Sequence, residues 1–288
     1  MAERVVPLGD VEIWSEELGD PAGPPLLLIM GAAASAMGWP DGLVGLLTAG
    51  GHRVIRYDHR DTGRSTRRDF AAHPYPFIAF VRDAVGVLDA YGVASAHVVG
   101  ASMGGAIGQL LALGHPDRVR TLTVMMTTAL DVFFSGDASG LPEPDPRVLK
   151  VLAAGIAGPA ADRDAEIDKR VAMWRALAGE ALPFDPEEFR RLEERVIDHA
   201  GDLTPVKAHA QVTETPAVTA ADLRAITTPT LVIQGTHDPF FPPPHGQRLA
   251  EAIPGARLLE IPGMGHALPK VVHHRIAEAI LAHTRPRP

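Results

Sequence analysis

A serine set among small residues, Gly100-Ala101-Ser102-Met103-Gly104, is the first place where this chain could make and break bonds. A serine hydroxyl attacks a carbonyl carbon only when a neighbouring base removes its proton. The flanking sequence predicts how the hydroxyl would be presented. Residues 96–100 read as a buried strand and 103–113 as a helix of small residues. A strand–turn–helix passage puts the serine on a strained turn, with its hydroxyl outward and glycine where a Cβ would strike its neighbours. The chain holds seven serines, so chance supplies on the order of 0.06 such motifs before that flanking pattern is required. The competing reading is a glycine-rich helix start with an N-terminal serine.

The base and the acid that orients it should follow in the order Ser, Asp, His. Asp238 follows the apolar run 230–234, at the carboxyl end of a predicted strand, where open α/β sheets meet their ligands. His266 follows the run 256–261 in the loop Pro262-Gly263-Met264-Gly265-His266. In these roles His266 would take the proton of Ser102 and return it to the leaving group, and Asp238 would hold the imidazole tautomer. An Asp before Pro also opens turns, which is the alternative for Asp238. The chain has 13 histidines. His266 is preferred to His237, His245, His273 and His274 because it alone directly follows a glycine in a glycine-rich loop at a strand end. Two backbone N–H groups must receive the oxyanion. The expected donors are Met103 and Ala32, the latter in the small-residue loop Gly31-Ala32-Ala33-Ala34. No His-Glu-x-x-His pattern and no cysteine occur, so no metal site and no cofactor are expected.

These groups need a scaffold that brings three distant loops together. Strands are predicted at 11–14, 26–30, 54–58, 96–100, 122–126, 230–234 and 256–261, and helices at 78–91, 103–113, 245–253 and 270–283. Strands spaced by helices predict an α/β fold with a mostly parallel central sheet covered by helices on both faces. The interval 131–221 breaks the rhythm. It offers no buried strand, many prolines, and two amphipathic helices at 162–178 and 186–199. It is expected to be a helical cap inserted into a core made of 1–130 and 222–288. Asp198-His199 near the second helix's end is expected to cap the helix or anchor the cap, not to form a second catalytic pair.

The chain has 288 residues, with 27 Lys+Arg against 35 Asp+Glu, a net charge of −8. That acidic balance argues against a nucleic-acid partner, which requires a Lys/Arg patch. The absence of cysteine excludes a disulfide scaffold and a thiolate nucleophile. Residues 21–40 carry no charge, but four prolines and three glycines prevent a continuous membrane-spanning helix. With no signal peptide in evidence at the start, the default expectation is a cytoplasmic protein, monomeric or homodimeric, with no membrane partner.

The segments Tyr57-Asp58-His59-Arg60-Asp61-Thr62-Gly63-Arg64-Ser65, Gly100-Ala101-Ser102-Met103-Gly104, Glu193-Glu194-Arg195-Val196-Ile197-Asp198-His199, His237-Asp238-Pro239 and Gly263-Met264-Gly265-His266-Ala267-Leu268-Pro269 carry a family resemblance. The chain resembles the α/β-hydrolase superfamily and, within it, the aclacinomycin (anthracycline) methyl esterases. The resemblance implies an α/β-hydrolase fold and cleavage of a methyl ester on an aromatic polyketide. The products would be methanol and an acid open to later decarboxylation. It maps the triad onto Ser102, Asp238 and His266, and the oxyanion donors onto the amides of Ala32 and Met103. The family loop reads Gly-Gly and then a polar residue; here it is Gly31-Ala32-Ala33. A bulky apolar substrate also suits the residues themselves: Phe133, Phe134, Met173, Trp174 and Met264, with Gly31, are the expected pocket wall, since Met adapts to irregular flat ligands. Other cofactor-free reactions at the same triad remain alternatives: general ester hydrolysis, perhydrolysis, C–C hydrolysis or a decarboxylation. So does a ligand-binding role without catalysis.

Overall fold

Leu26, Leu27, Leu28 and Ile29 are all fully buried, although successive side chains on a strand point to opposite faces. Both faces of the sheet must therefore be covered. Leu26 and Leu28 join Val54, Val99, Leu231 and Ile233 in one apolar layer, while Leu27 and Ile29 join Ile55, Val98, Leu122 and Val232 in the other. The computed structural model describes residues 2–135 and 140–285. The expected core and insertion also take in residues 1, 136–139 and 286–288, which lie outside the described residues.

Eight strands form one sheet: β1 (Ala2–Leu8), β2 (Val11–Leu18), β3 (Pro25–Ile29), β4 (Arg53–Tyr57), β5 (Ala96–Ala101), β6 (Val119–Met125), β7 (Thr230–Gly235) and β8 (Arg257–Ile261). Their order is β1-β2-β4-β3-β5-β6-β7-β8. Pairing is antiparallel for β1–β2 and β2–β4 and parallel for the rest. One face is covered by α1 (Asp41–Ala49) and the closing α11 (Lys270–Thr284), the other by α2 (Ile78–Ala90), α3 (Met103–Gly114) and α10 (Pro244–Ala252). Each buried Leu, Ile or Val in these layers contributes about 1.5–3 kcal/mol relative to exposure.

The connection from β6 to β7 carries α4 (Leu130–Ser135), α5 (Pro146–Ala157), α6 (Arg163–Ala178), α7 (Pro186–Ala200), α8 (Ala208–Gln211) and α9 (Ala220–Leu223). The two helices read from sequence here start where their caps dictate. Asp162 accepts the Ala165 N–H at the head of α6, and Asp185 accepts the Glu187 N–H at the head of α7. α7 ends at Gly201, whose φ of 65° is the left-handed terminator that glycine accepts readily. Among the described residues no helix is long and apolar enough to cross a membrane.

The segment around Asp58 ties these helices to the sheet. The buried Asp58 carboxylate accepts the N–H groups of Ala36 and Arg64 at 2.8 Å each, and meets His199 Nε2 of α7 at 2.7 Å. His199 also stands edge-on to Trp14, with 4.4 Å between ring centroids. Asp198, its neighbour, turns outward to Arg163. His199 thus anchors α7 to the sheet, while Asp198 ties α7 to α6. Arg195, one turn earlier, donates to the carbonyls of Met37 and Trp39.

Candidate active site

Ser102 lies between the end of β5 and the first residue of α3, with φ 53° and ψ −119°. A positive φ is costly for a residue with a Cβ, and such strain concentrates where function demands it. The surroundings hold it there. The Ser102 N–H donates to Met125 O at 2.9 Å, and its carbonyl receives Gly105 N–H at 2.8 Å. The flanking glycines are dictated by close approach. A Cβ on Gly100 would stand 2.2 Å from Gly104 O, and one on Gly104 would stand 2.1 Å from Ile29 O. The motif therefore lets α3 start directly against β5 and β3.

Asp238 follows β7 and His266 follows β8, so both arrive at the carboxyl edge where Ser102 stands. His266 Nδ1 lies 2.9 Å from Asp238 Oδ2 and 3.1 Å from Oδ1. Asp238 is 2% exposed, and its Oδ1 also accepts the N–H groups of Phe240 and Phe241 at 2.8 and 2.9 Å. Those donors satisfy a carboxylate that would otherwise be costly to bury. His266 is held by its own backbone, whose N–H donates to Leu177 O at the end of α6, 2.7 Å away. Gly265 makes that approach possible, since a Cβ there would meet Ala178 O at 2.2 Å. Among the described residues no hydrogen bond joins the Ser102 hydroxyl to His266. Such contacts commonly tighten only as substrate is seated.

Ser102 and His266 share one cavity of about 1070 Å³. Its wall includes Gly31, Phe133, Phe134, Met173 and Trp174, as expected from sequence, and also Met126, Phe240 and Phe241. Met264 does not belong to it. This side chain is fully buried in the layer with Ile233, Ile261 and Leu268, where removal of its apolar surface from water favours it over the cavity. Sequence reasoning missed the charged end of the cavity. Glu166, Lys169, Arg170 and Glu193 line it from α6 and α7. Arg170 bridges Glu166 and Glu193, and Trp174 Nε1 donates to Glu193 Oε1 at 2.6 Å. Burial pushes the Glu193 carboxyl above its ordinary value, against these donors.

The two expected oxyanion donors are open. Among the described residues neither the Ala32 nor the Met103 N–H has a hydrogen-bond acceptor. Ala32 occupies the second position of a turn from Gly31 to Ala34, whose third residue, Ala33, has φ 60°. Proline suits the second position of such a turn and carries no N–H. Ala32→Pro is therefore expected to keep the turn, lower kcat by about 10²–10³ and change KM little. Steady-state kinetics would show it; equal losses in kcat and affinity for the product acid would contradict a donor role.

Two histidines in the core bear on stability. Burial, the main cause, pushes His59 down to about 3 and His97 down to about 4. Both stay neutral in the fold at pH values where the unfolded chain protonates them, near pH 6.5 and below. The unfolded state then binds more protons, so stability falls as pH falls. Thermal melts from pH 6.5 to 4 should show a declining Tm, with a shallower decline in His97→Gln; a flat profile would contradict it.

Comparison with known proteins sets these groups in context. A family profile described as alpha/beta hydrolase fold matches residues 24–270. The chain is 50% identical to rhodomycin D methylesterase DauP of Streptomyces sp. (strain C5), over 99% of each chain. It has the same identity and coverage with rhodomycin D methylesterase DnrP of Streptomyces peucetius. Among solved structures, esterase RhEst1 from Rhodococcus sp. ECU1013 matches with a TM-score of 0.76 and 23% identity, covering 97% of this chain and 98% of that one. A hydrolase from Pseudomonas aeruginosa PA01 matches at 0.68 with 26% identity, covering 98% and 96%.

Proposed function

Because the chain belongs to the α/β-hydrolase family, among its anthracycline methylesterases, we propose that it hydrolyses the methyl ester of an anthracycline-type aromatic polyketide through an acyl-enzyme on Ser102. It is a carboxylic ester hydrolase, and its substrate is a small molecule. Ser102 Oγ attacks the ester carbonyl while His266 Nε2 takes the hydroxyl proton. Asp238 keeps the Nδ1 hydrogen on the imidazole and stabilises the imidazolium that forms. The oxyanion of the tetrahedral intermediate receives the Ala32 and Met103 N–H groups. The C–OCH₃ bond breaks, and His266 returns the proton so that methanol leaves. A water molecule, activated by the same imidazole, then cleaves the acyl-enzyme to the free acid and restores Ser102.

The observation that carries this reading is the cavity. Its volume of about 1070 Å³ lies just above the range of roughly 300–1,000 Å³ usual for ligand pockets. Phenylalanine, methionine and tryptophan line it, and it reaches both Ser102 and His266. A simple alkyl ester would leave most of that wall wet. Residues 131–221 act in this reading as the cap that closes over a flat polycyclic ester. A fluorophosphonate should label Ser102, and the polycyclic product acid, added first, should block labelling where acetate does not. Labelling indifferent to the acid would overturn the assignment of the cavity; absence of labelling would overturn the serine nucleophile.

A further inference from the structure

The turn that carries Ala32 does not hold itself. Its own hydrogen bond, Ala34 N–H to Gly31 O, is long at 3.4 Å, and its third residue, Ala33, adopts a positive φ without being glycine. Two imidazoles grip it from outside. His59 Nε2 lies 2.9 Å from Met30 O, just before the turn, and His209 Nδ1 accepts the Ala33 N–H at 2.9 Å. A backbone N–H can only donate, so Nδ1 of His209 carries no hydrogen. The ring hydrogen must be on Nε2, where it donates to Arg60 O at 2.9 Å. Arg60 is fixed in turn by both oxygens of Asp83, each at 2.7 Å. Phe80 stands edge-on to the His209 ring at 4.9 Å. Every hydrogen-bonding atom of the ring is used, and both partners are backbone.

The geometry points to His209 as a positioning residue for ester hydrolysis: by taking the Ala33 N–H it fixes the strained turn and leaves the neighbouring Ala32 N–H as the one free to meet the oxyanion. This rests on the serine-esterase reading above. It also explains why the donor is Ala32 and not Ala33, whose N–H is already engaged. Burial pushes the His209 ring down to about 4, which preserves its acceptor through the neutral range. A displacement of about 1 Å in such a donor lowers turnover on the order of a hundredfold.

The test compares His209→Phe, which keeps a ring but loses the acceptor, with His209→Asn, whose carbonyl oxygen can replace Nδ1. The first reaction of a fluorophosphonate requires the serine and the oxyanion donors but no anthracycline, so its second-order labelling rate isolates the effect. His209→Phe should label and turn over the methyl ester about ten- to a hundredfold more slowly. KM should stay within about a factor of three, because the donor serves the transition state. His209→Asn should recover most of the rate, although it gives up the ring packing against Phe80 that Phe keeps. Phe at the wild-type labelling rate, or Phe and Asn slowed equally, would overturn the role of His209 alone. A wild type that labels normally but releases no methanol from a carbomethoxy polycycle would overturn the substrate reading and leave His209 standing. A wild type that does not label would overturn the serine reading and this inference with it.

Discussion

Replacing Ser102 by alanine should lower kcat by about 10⁴–10⁶ and leave the fold intact. The size follows from the mechanism: without Oγ no acyl-enzyme forms, and only the oxyanion donors and binding remain, worth roughly 10³–10⁴ over water. Preservation of the fold follows from geometry. Among the described residues the Ser102 hydroxyl makes no hydrogen bond, while its N–H and carbonyl keep theirs to Met125 and Gly105. Alanine bears the same Cβ, so the strain of the positive φ is unchanged. Stability should therefore move by no more than about 0.5 kcal/mol. Methanol release and a thermal melt on the same preparation check both halves. Residual turnover within tenfold of wild type would mean that another group is the nucleophile.

The second large effect is expected from Asp238→Asn, at about 10⁴ in kcat. The direction of the amide is set by the site. Oδ1 of Asp238 accepts two backbone N–H groups, from Phe240 and Phe241, so the carbonyl oxygen of asparagine must stay there. Its NH₂ then faces His266 Nδ1, now 2.9 Å from Oδ2. An amide donor facing Nδ1 forces the ring hydrogen onto Nε2, the atom that should receive the serine proton. The base is thus blocked by tautomer with every heavy atom near its place. KM should change little, because the cavity wall is untouched. A loss of less than tenfold would show that His266 does not depend on Asp238 for its tautomer.

The sequence made the parts with strong burial patterns legible. The inner parallel strands read as apolar runs because both faces are covered, and Ser102 and Asp238, as expected triad members, each follow such a run; β8, ahead of His266, is an edge strand in which only Ile261 is buried. The helices α6 and α7 carried their cap residues, Asp162 and Asp185, in plain view. Other elements had no such signal. β1 is almost wholly exposed and shows no alternation, so only its pairing with β2 reveals it. β2 continues past Trp14 through the buried polar residues Ser15 and Glu16, the latter paired with Arg56. α1 carries glycines at 42 and 45, which weaken its helical signal. α5 starts at Pro146 after its cap, Asp145, a start signal hidden in a proline-rich stretch that reads as loop. In the site, Met264 reads as pocket because methionine suits flat ligands and it lies near a strand end, yet its side chain turns into the core. His209 and the Glu166–Arg170–Glu193 cluster were invisible for a different reason. Glu166 and Arg170 are neighbours on one helix, but Glu193 joins them from α7 and Ala33 meets His209 across 176 residues, contacts that only the fold creates.

On the proposed reading, this chain releases methanol from a carbomethoxy polycycle at a site built for bulk. The most direct measurement is methanol formation from a carbomethoxy anthracycline compared with methyl acetate, both with wild-type protein. One methanol per ester consumed, with kcat/KM for the anthracycline higher by at least about 10³, is the predicted result, since the apolar wall can act only on the larger substrate. No methanol from the anthracycline, or equal kcat/KM for the two esters, would contradict it.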